Sequence, residues 1–181
     1  MAEFRLETDR LILRDWRAED AADFHRLHSN AEVMATLGGV QEFAFTVDLI
    51  ADLQARSAKN GGYTFWALER KSDGRVIGFC GLDRANEGFV VGELEIGWRL
   101  ARDCWGAGYA QEAALACLAW AAEHLPGERV VAVTSTINSR SRKLMERIGM
   151  THRPELDYEY NGIPPGNPLR PHVTYVKESP L

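Results

Sequence analysis

Hydrophobic and polar positions change period several times along the chain, and each change marks a boundary between elements. Glu7-Thr8-Asp9-Arg10-Leu11-Ile12-Leu13-Arg14 reads as a strand, with β-favouring residues closing on a charge. Between Ala18 and His28 the spacing turns helical, with Ala21, Phe24 and Leu27 on one stripe. A second helix carries Val47, Ile50 and Leu53 behind Thr46 as N-cap, and Gly38-Gly39 separates the two. Residues 63–69 and 75–82 are apolar runs joined by a polar turn containing Asp73-Gly74, which predicts a hairpin. Glu93, Glu95, Gly97 and Arg99 alternate with Leu94, Ile96, Trp98 and Leu100, a half-buried strand. Past Gly106 and Gly108 an alanine-rich stretch, residues 109–124, predicts a helix whose buried stripe is Ala114, Leu115, Leu118 and Ala122. Residues 129–135 read as an interior strand, Asn138 caps a further helix, and Gly149 ends it. Two strand-like pieces then flank a proline-rich loop, residues 161–171. The order predicts an α+β fold in which helices flank a mixed, mostly antiparallel sheet, as a single domain over residues 1–181.

Composition narrows the function classes. The chain has 181 residues, 45% hydrophobic and 26% charged, enough for one core. A net charge of −5 argues against nucleic acid as a partner, since phosphate binding needs a basic face. No apolar run reaches the roughly 20 residues that span a bilayer, and no secretory pattern opens the chain, so a cytoplasmic location without membrane association is expected. Three cysteines without a CxxC pair fit a reducing compartment, and Cys104 reads as a buried bystander rather than a nucleophile. His25-x-x-His28 has no further ligands in sight and reads as a surface pair, so no metal is expected. Exposed sheet edges make a homodimer the expected self-association.

Candidate chemistry lies where the strand of residues 93–100 runs through a glycine-containing loop into the alanine-rich helix. The first N–H groups of a helix lack internal partners and its dipole is positive there, so the loop suits an anion such as a pyrophosphate. Gly106 and Gly108 allow close backbone approach. No Gly-Lys-Ser/Thr follows, which excludes a Walker A loop, and Gln111 stands where a dinucleotide fingerprint needs its last glycine.

Gly97-Trp98-Arg99-Leu100 running into Trp105-Gly106-Ala107-Gly108-Tyr109-Ala110-Gln111-Glu112-Ala113 resembles the acetyl-CoA-binding motif of the GNAT superfamily of N-acetyltransferases. Thr8–Arg14 resembles the opening strand of its RimJ/RimL-like, ribosomal-protein-alanine acetyltransferase branch. Asn138-Ser139-Arg140-Ser141 through Gly149-Met150 resembles that branch's second cofactor motif. One departure is Asp103, where the superfamily pattern begins with Gln or Arg. The resemblance implies a GNAT-like acyl-CoA N-acyltransferase fold with acetyl-CoA as co-substrate. It implies that amides of Trp105, Gly106, Ala107, Gly108, Tyr109 and Ala110 hold the pyrophosphate, and that Trp98, Arg99 and Leu100 pair with the pantetheine arm. Asn138 and Ser141 would approach the pantetheine and thioester end.

Acetyl transfer to a primary amine, whether a protein N-terminus or a small molecule, needs a deprotonated nitrogen, and the amine's pKa near ~10 makes a base or ordered water necessary. Glu95 is the first candidate, with Glu93 and Glu69 as alternatives. Ser141 is the expected proton donor to the leaving thiolate, with Tyr158 and Tyr160 in reserve. Direct attack in a ternary complex is expected. His152 and His172, with the proline-rich loop, are candidates to line the acceptor cleft. The competing reading is a non-catalytic CoA-binding regulatory protein.

Overall fold

The computed structural model describes residues 3–178. The chain forms two compact units, one comprising residues up to Asp83 with Gly97–Cys117, the other Arg84–Ile96 with residues from Leu118 onward. In the first, β1 (Arg5–Glu7), β2 (Leu11–Arg14), β3 (Phe65–Arg70) and β4 (Val76–Arg84) pair antiparallel in succession. The segment expected as one strand is therefore a hairpin. Thr8 N–H donates to Leu11 O at 3.0 Å and the Thr8 hydroxyl accepts from Leu11 N at 3.1 Å, folding the polar Thr8-Asp9-Arg10 into the turn. The β3–β4 hairpin closes as expected, with Gly74 at φ +69°.

Helices α1 (Ala21–His28), α2 (Ala31–Met34) and α3 (Phe43–Lys59) complete the chain before β3. Asn30 caps α2 by accepting from Glu32 N and Val33 N, a short helix the pattern did not predict. Helix α3 begins a turn earlier than expected, behind Glu42, so Thr46 is no N-cap. Its buried stripe is Thr46, Ile50 and Leu53, whereas Val47 is exposed. Arg14 crosses from β2 to Asp20 in a two-pronged pair, both contacts 2.8 Å, and also donates to Glu69 at 2.7 Å. Asp20 above all, then Glu69, holds this buried guanidinium charged against the desolvation that opposes it.

The second unit holds the start of β5 (Leu94–Leu100), then β6 (Val130–Ser135), α5 (Ser139–Arg147), β7 (Thr151–His152), β8 (Tyr158–Glu159) and β9 (Pro171–Lys177). β5 and β6 run parallel, registered at Leu94↔Val130 and Glu95↔Val131. β9 lies antiparallel to β6 from Val130↔Lys177 to Ser135↔His172, and β7 and β8 each pair antiparallel with β9. Gly149, at φ +80°, ends α5 as expected: Met150 N–H returns to Met145 O and Gly149 N–H to Glu146 O. The fold is thus the expected α+β arrangement of helices flanking a mixed, mostly antiparallel sheet. No helix among the described residues is long and apolar enough to cross a membrane.

Helix α4 (Tyr109–His124) starts in the first unit and ends in the second. Its buried residues include Ala113, Ala114, Cys117, Leu118 and Ala121, while Leu115 is exposed and Ala122 half-buried, correcting the expected stripe. A helix apolar on nearly every side gives periodicity nothing to choose between.

Candidate functional site

The loop between β5 and α4 has the open geometry an anion requires. Gly106 and Gly108 sit at φ +77° and +83°, a left-handed backbone that L side chains rarely adopt. Gly106, Ala107 and Gly108 are exposed, and a Cβ on Gly106 would meet nothing within 4 Å. Among the described residues, the N–H groups of residues 106–111 meet no protein acceptor, and Glu112 N is the first to bond back, to Gly108 O at 3.1 Å. A run of unsatisfied amides at the positive end of a 16-residue helix fits a diphosphate.

The loop is braced from outside the motif. Arg10, in the β1–β2 turn, donates from Nη1 to Ala107 O at 2.8 Å and from Nε to Glu112 at 2.6 Å, with its cation 4.5 Å from the Tyr109 ring centroid. Thr8 Oγ1 and Arg10 N also donate to Glu112. Burial works to raise the Glu112 carboxyl, but these donors outweigh it and hold it below the usual range. On the other side, Trp105 Nε1 donates to Leu100 O at 3.0 Å, tying the loop to the end of β5. Asp103 is exposed, and among the described residues its carboxylate accepts only from the neighbouring Cys104 thiol. Sequence reasoning missed Arg10 as a support because nothing local links it to a loop about 100 residues away.

Trp98, Arg99 and Leu100 occupy the first unit's part of β5, with Leu100 buried and the other two half-buried. Gly78 faces the Arg99 carbonyl so closely that a Cβ would stand 1.9 Å from its oxygen. Arg99 donates to His28 Nε2 at 2.9 Å, and desolvation lowers its guanidinium to about 10. Since arginine has only donors, His28 Nε2 must accept, so its Nδ1–H donates to the Thr46 hydroxyl at 2.8 Å. His28 is fully buried, and burial, then the Arg99 charge, then His25, lowers its pKa to about 4. The expected surface pair is therefore corrected: both imidazoles lean on the buried Thr46, since Phe24 and Phe45 enclose His28.

In the second unit, Asn138 Oδ1 caps α5 by accepting from Ser141 N at 3.3 Å, while its amide donates to Thr134 Oγ1 at 3.0 Å. Ser141 is half-buried, and its hydroxyl has no partner among the described residues. Ser135, at the end of β6, was not anticipated: its buried hydroxyl also lacks a partner, a loss of roughly 1–3 kcal/mol unless a ligand or water meets it. Glu95 is half-buried on β5, and its charge helps to raise the Tyr158 phenol, behind burial and Glu87. The alternative carboxylates are engaged elsewhere, Glu93 with Arg129 and Glu69 with Arg14. His172 borders a cleft of about 1030 Å³ near Tyr158 and Tyr160. His152 is not among that cleft's lining residues, being held 2.9 Å from Asp157 and stacked on Tyr175.

The three cysteines are buried. Burial, then Asp103, pushes the Cys104 thiol up, and burial pushes Cys117 up beside Cys80. Among the described residues no group of three His, Cys, Asp or Glu side chains is placed to hold a metal ion.

Comparison with known proteins bears on the family and the fold. The model of the acetyltransferase (GNAT) domain matches residues 10–151. The uncharacterized protein YkkB of Bacillus subtilis (strain 168) is 34% identical over 151 residues, covering 82% of this chain and 86% of the relative. A GNAT-family acetyltransferase from Bacillus anthracis superposes with a TM-score of 0.79 at 22% identity, covering 97% of this chain and 98% of that one. RimL, a ribosomal L7/L12 alpha-N-protein acetyltransferase, superposes at 0.78 with 13% identity, covering 98% and 96%, a likeness of fold alone. The open amide loop and the family match across most of the chain converge: this protein belongs to the GNAT family and is an acetyltransferase.

Proposed function

We propose that the protein transfers acetyl from acetyl-CoA to a primary amine by direct attack in a ternary complex, within one acetyltransferase domain spanning the chain. The observation that carries this reading is the run of unpartnered amides from Gly106 onward, open to solvent at the start of α4. Gly106, Ala107, Gly108, Tyr109 and Ala110 would hold the diphosphate through main chain, next to Trp105, whose own N–H already donates to Arg102 O at 3.3 Å. Trp98, Arg99 and Leu100 would pair with the pantetheine arm, supported by the short β5–β6 register, which stops at Glu95↔Val131. Asn138 and Ser141 would meet the pantetheine and thioester end. Acetyl-CoA supplies the activated acyl group and a thiolate leaving group. Glu95 would accept the amine's proton, directly or through water, and Ser141, whose hydroxyl is uncommitted, would donate to the departing sulfur. Three buried cysteines, two with thiols pushed up, support transfer without an acetyl-cysteine step.

Motifs at Thr8–Arg14 and Asn138–Met150 favour the RimJ/RimL-like branch, which would make a protein N-terminus one acceptor class beside small amines. A cytoplasmic location and homodimerisation remain part of the proposal, on the sequence grounds given above. The test is free-thiol release from acetyl-CoA against ribosomal N-terminal peptides and a small-amine panel. Glu95→Gln should lower kcat at least tenfold with acetyl-CoA affinity retained, and Gly108→Val should cost at least tenfold in acetyl-CoA affinity while the chain stays folded. Tight CoA binding without thiol release for any amine would instead favour the non-catalytic CoA-binding regulator.

A further inference from the structure

The cleft of the second unit combines rings and carboxylate charge. Tyr158 and Tyr160 both lean on His172, ring centroids 5.4 Å apart in each case, and Phe89 stands largely exposed at the same cleft. Two glycines hold the tyrosines in place. A Cβ on Gly88 would stand 2.7 Å from the Tyr158 ring, and one on Gly162 would stand 2.5 Å from that of Tyr160. These walls are backed by main chain and are not floppy side chains.

The charge of the cleft is one-sided. Asp157 is taken by His152 at 2.9 Å and by Thr174 N at 2.9 Å. Glu159 is taken by Arg170 at 2.9 Å. Glu87 has no cation among the described residues; its contact is with the Tyr160 hydroxyl. Both phenols are raised, by burial first and then by Glu87, so they stay neutral and keep their electron-rich faces. Among the described residues, no lysine or arginine lines the cleft. Glu95, on β5, does not line the cleft, but its charge adds to the effect of Glu87 in raising the Tyr158 phenol.

We propose that this cleft is the acceptor subsite and that it selects amines whose body carries a second, non-reacting positive charge, held between the Tyr158, Tyr160 and His172 rings and the Glu87 carboxylate, which no cation neutralises among the described residues. The proposal rests on the transferase reading given above. Neutral rings attract a cation through their faces, and an uncompensated half-buried carboxylate adds Coulomb attraction. An acceptor with a carboxylate at that position would meet repulsion instead.

Three probes on the same aminobutyl arm, the first two matched in shape, separate these outcomes: (4-aminobutyl)trimethylammonium, its carbon isostere 5,5-dimethylhexan-1-amine, and the smaller, planar-headed 5-aminopentanoate. Calorimetric binding to the full chain, with and without saturating CoA, should rank them cationic, neutral, anionic, with about tenfold at each step. Glu87→Gln keeps the shape and an acceptor for Tyr160, and should collapse the cation-to-neutral ratio toward one. Equal affinity for the three probes, an inverted order, or a ratio unchanged in Glu87→Gln would overturn the proposal. Thiol release with the same probes tests the underlying reading separately. Ranked binding with no release for these probes or for any amine of the wider panel leaves a cation site standing and removes the transferase reading, whereas release indifferent to charge does the reverse.

Discussion

At the scale of single residues, the molecule commits one imidazole to its neutral form. His28 is locked between the Arg99 guanidinium and the Thr46 hydroxyl with no carboxylate beside it, and it titrates near 4 when folded. Unfolded histidine titrates near ~6.5, so between those values the unfolded chain binds more protons and stability rises with pH. This contribution is complete above about pH 6.5 and is lost as pH falls toward 4, on the order of 3 kcal/mol in all. Urea unfolding followed from pH 7 down to pH 4 should show the loss, and His28→Gln should flatten that part of the profile. An equally steep profile in the variant would remove His28 as its source. The same residue shows a limit of sequence reading. His25-x-x-His28 looks like a solvated pair in one dimension, and only the packing of α3, with Thr46 on its buried stripe, turns His28 inward.

At the scale of elements, the glycine loop before α4 is positioned by a turn far from it in sequence. Arg10 grips the Ala107 carbonyl while Glu112 gathers Thr8 and Arg10, so the β1–β2 turn fixes the first turn of α4. Arg10→Gln should loosen the loop without touching the chemistry. The KM for acetyl-CoA should rise about three- to tenfold with kcat nearly unchanged, as expected when uniform binding is lost. A kcat loss with KM intact would instead place Arg10 in the reaction. The elements themselves were largely legible where a residue has one dominant preference. Gly74, Asn138 and Gly149 each mark a boundary that the backbone confirms. Legibility failed where preferences compete: Thr46 could cap a helix or fill its buried stripe, and the alanine-rich α4 has no polar face to orient it. The glycine loop was legible as a candidate site because the hold on phosphate proposed for it depends on backbone freedom, which Gly106 and Gly108 announce. The Arg10 brace and the Glu87 cleft were not, since both arise from residues brought together by the sheet.

At the scale of the whole molecule, the chain passes between its two units three times, and each crossing falls inside a regular element, β4 at Asp83/Arg84, β5 at Ile96/Gly97 and α4 at Cys117/Leu118. A chain ending at residue 117 keeps only nine residues of a 16-residue helix, below the roughly 12–15 at which isolated helices become even marginally stable. Such a truncation should lose α4 by far-UV circular dichroism, and acetyl-CoA binding with it, although every residue of the glycine loop remains. Retained binding would mean that the loop needs no helix behind it. The loop itself carries one more consequence. Its proposed hold on phosphate is made by peptide N–H groups, which every residue but proline owns alike. Exchanging the side chains at 107 or 110 should thus leave the grip nearly untouched, and anyone wishing to retune cofactor affinity must bend the main chain rather than redecorate it.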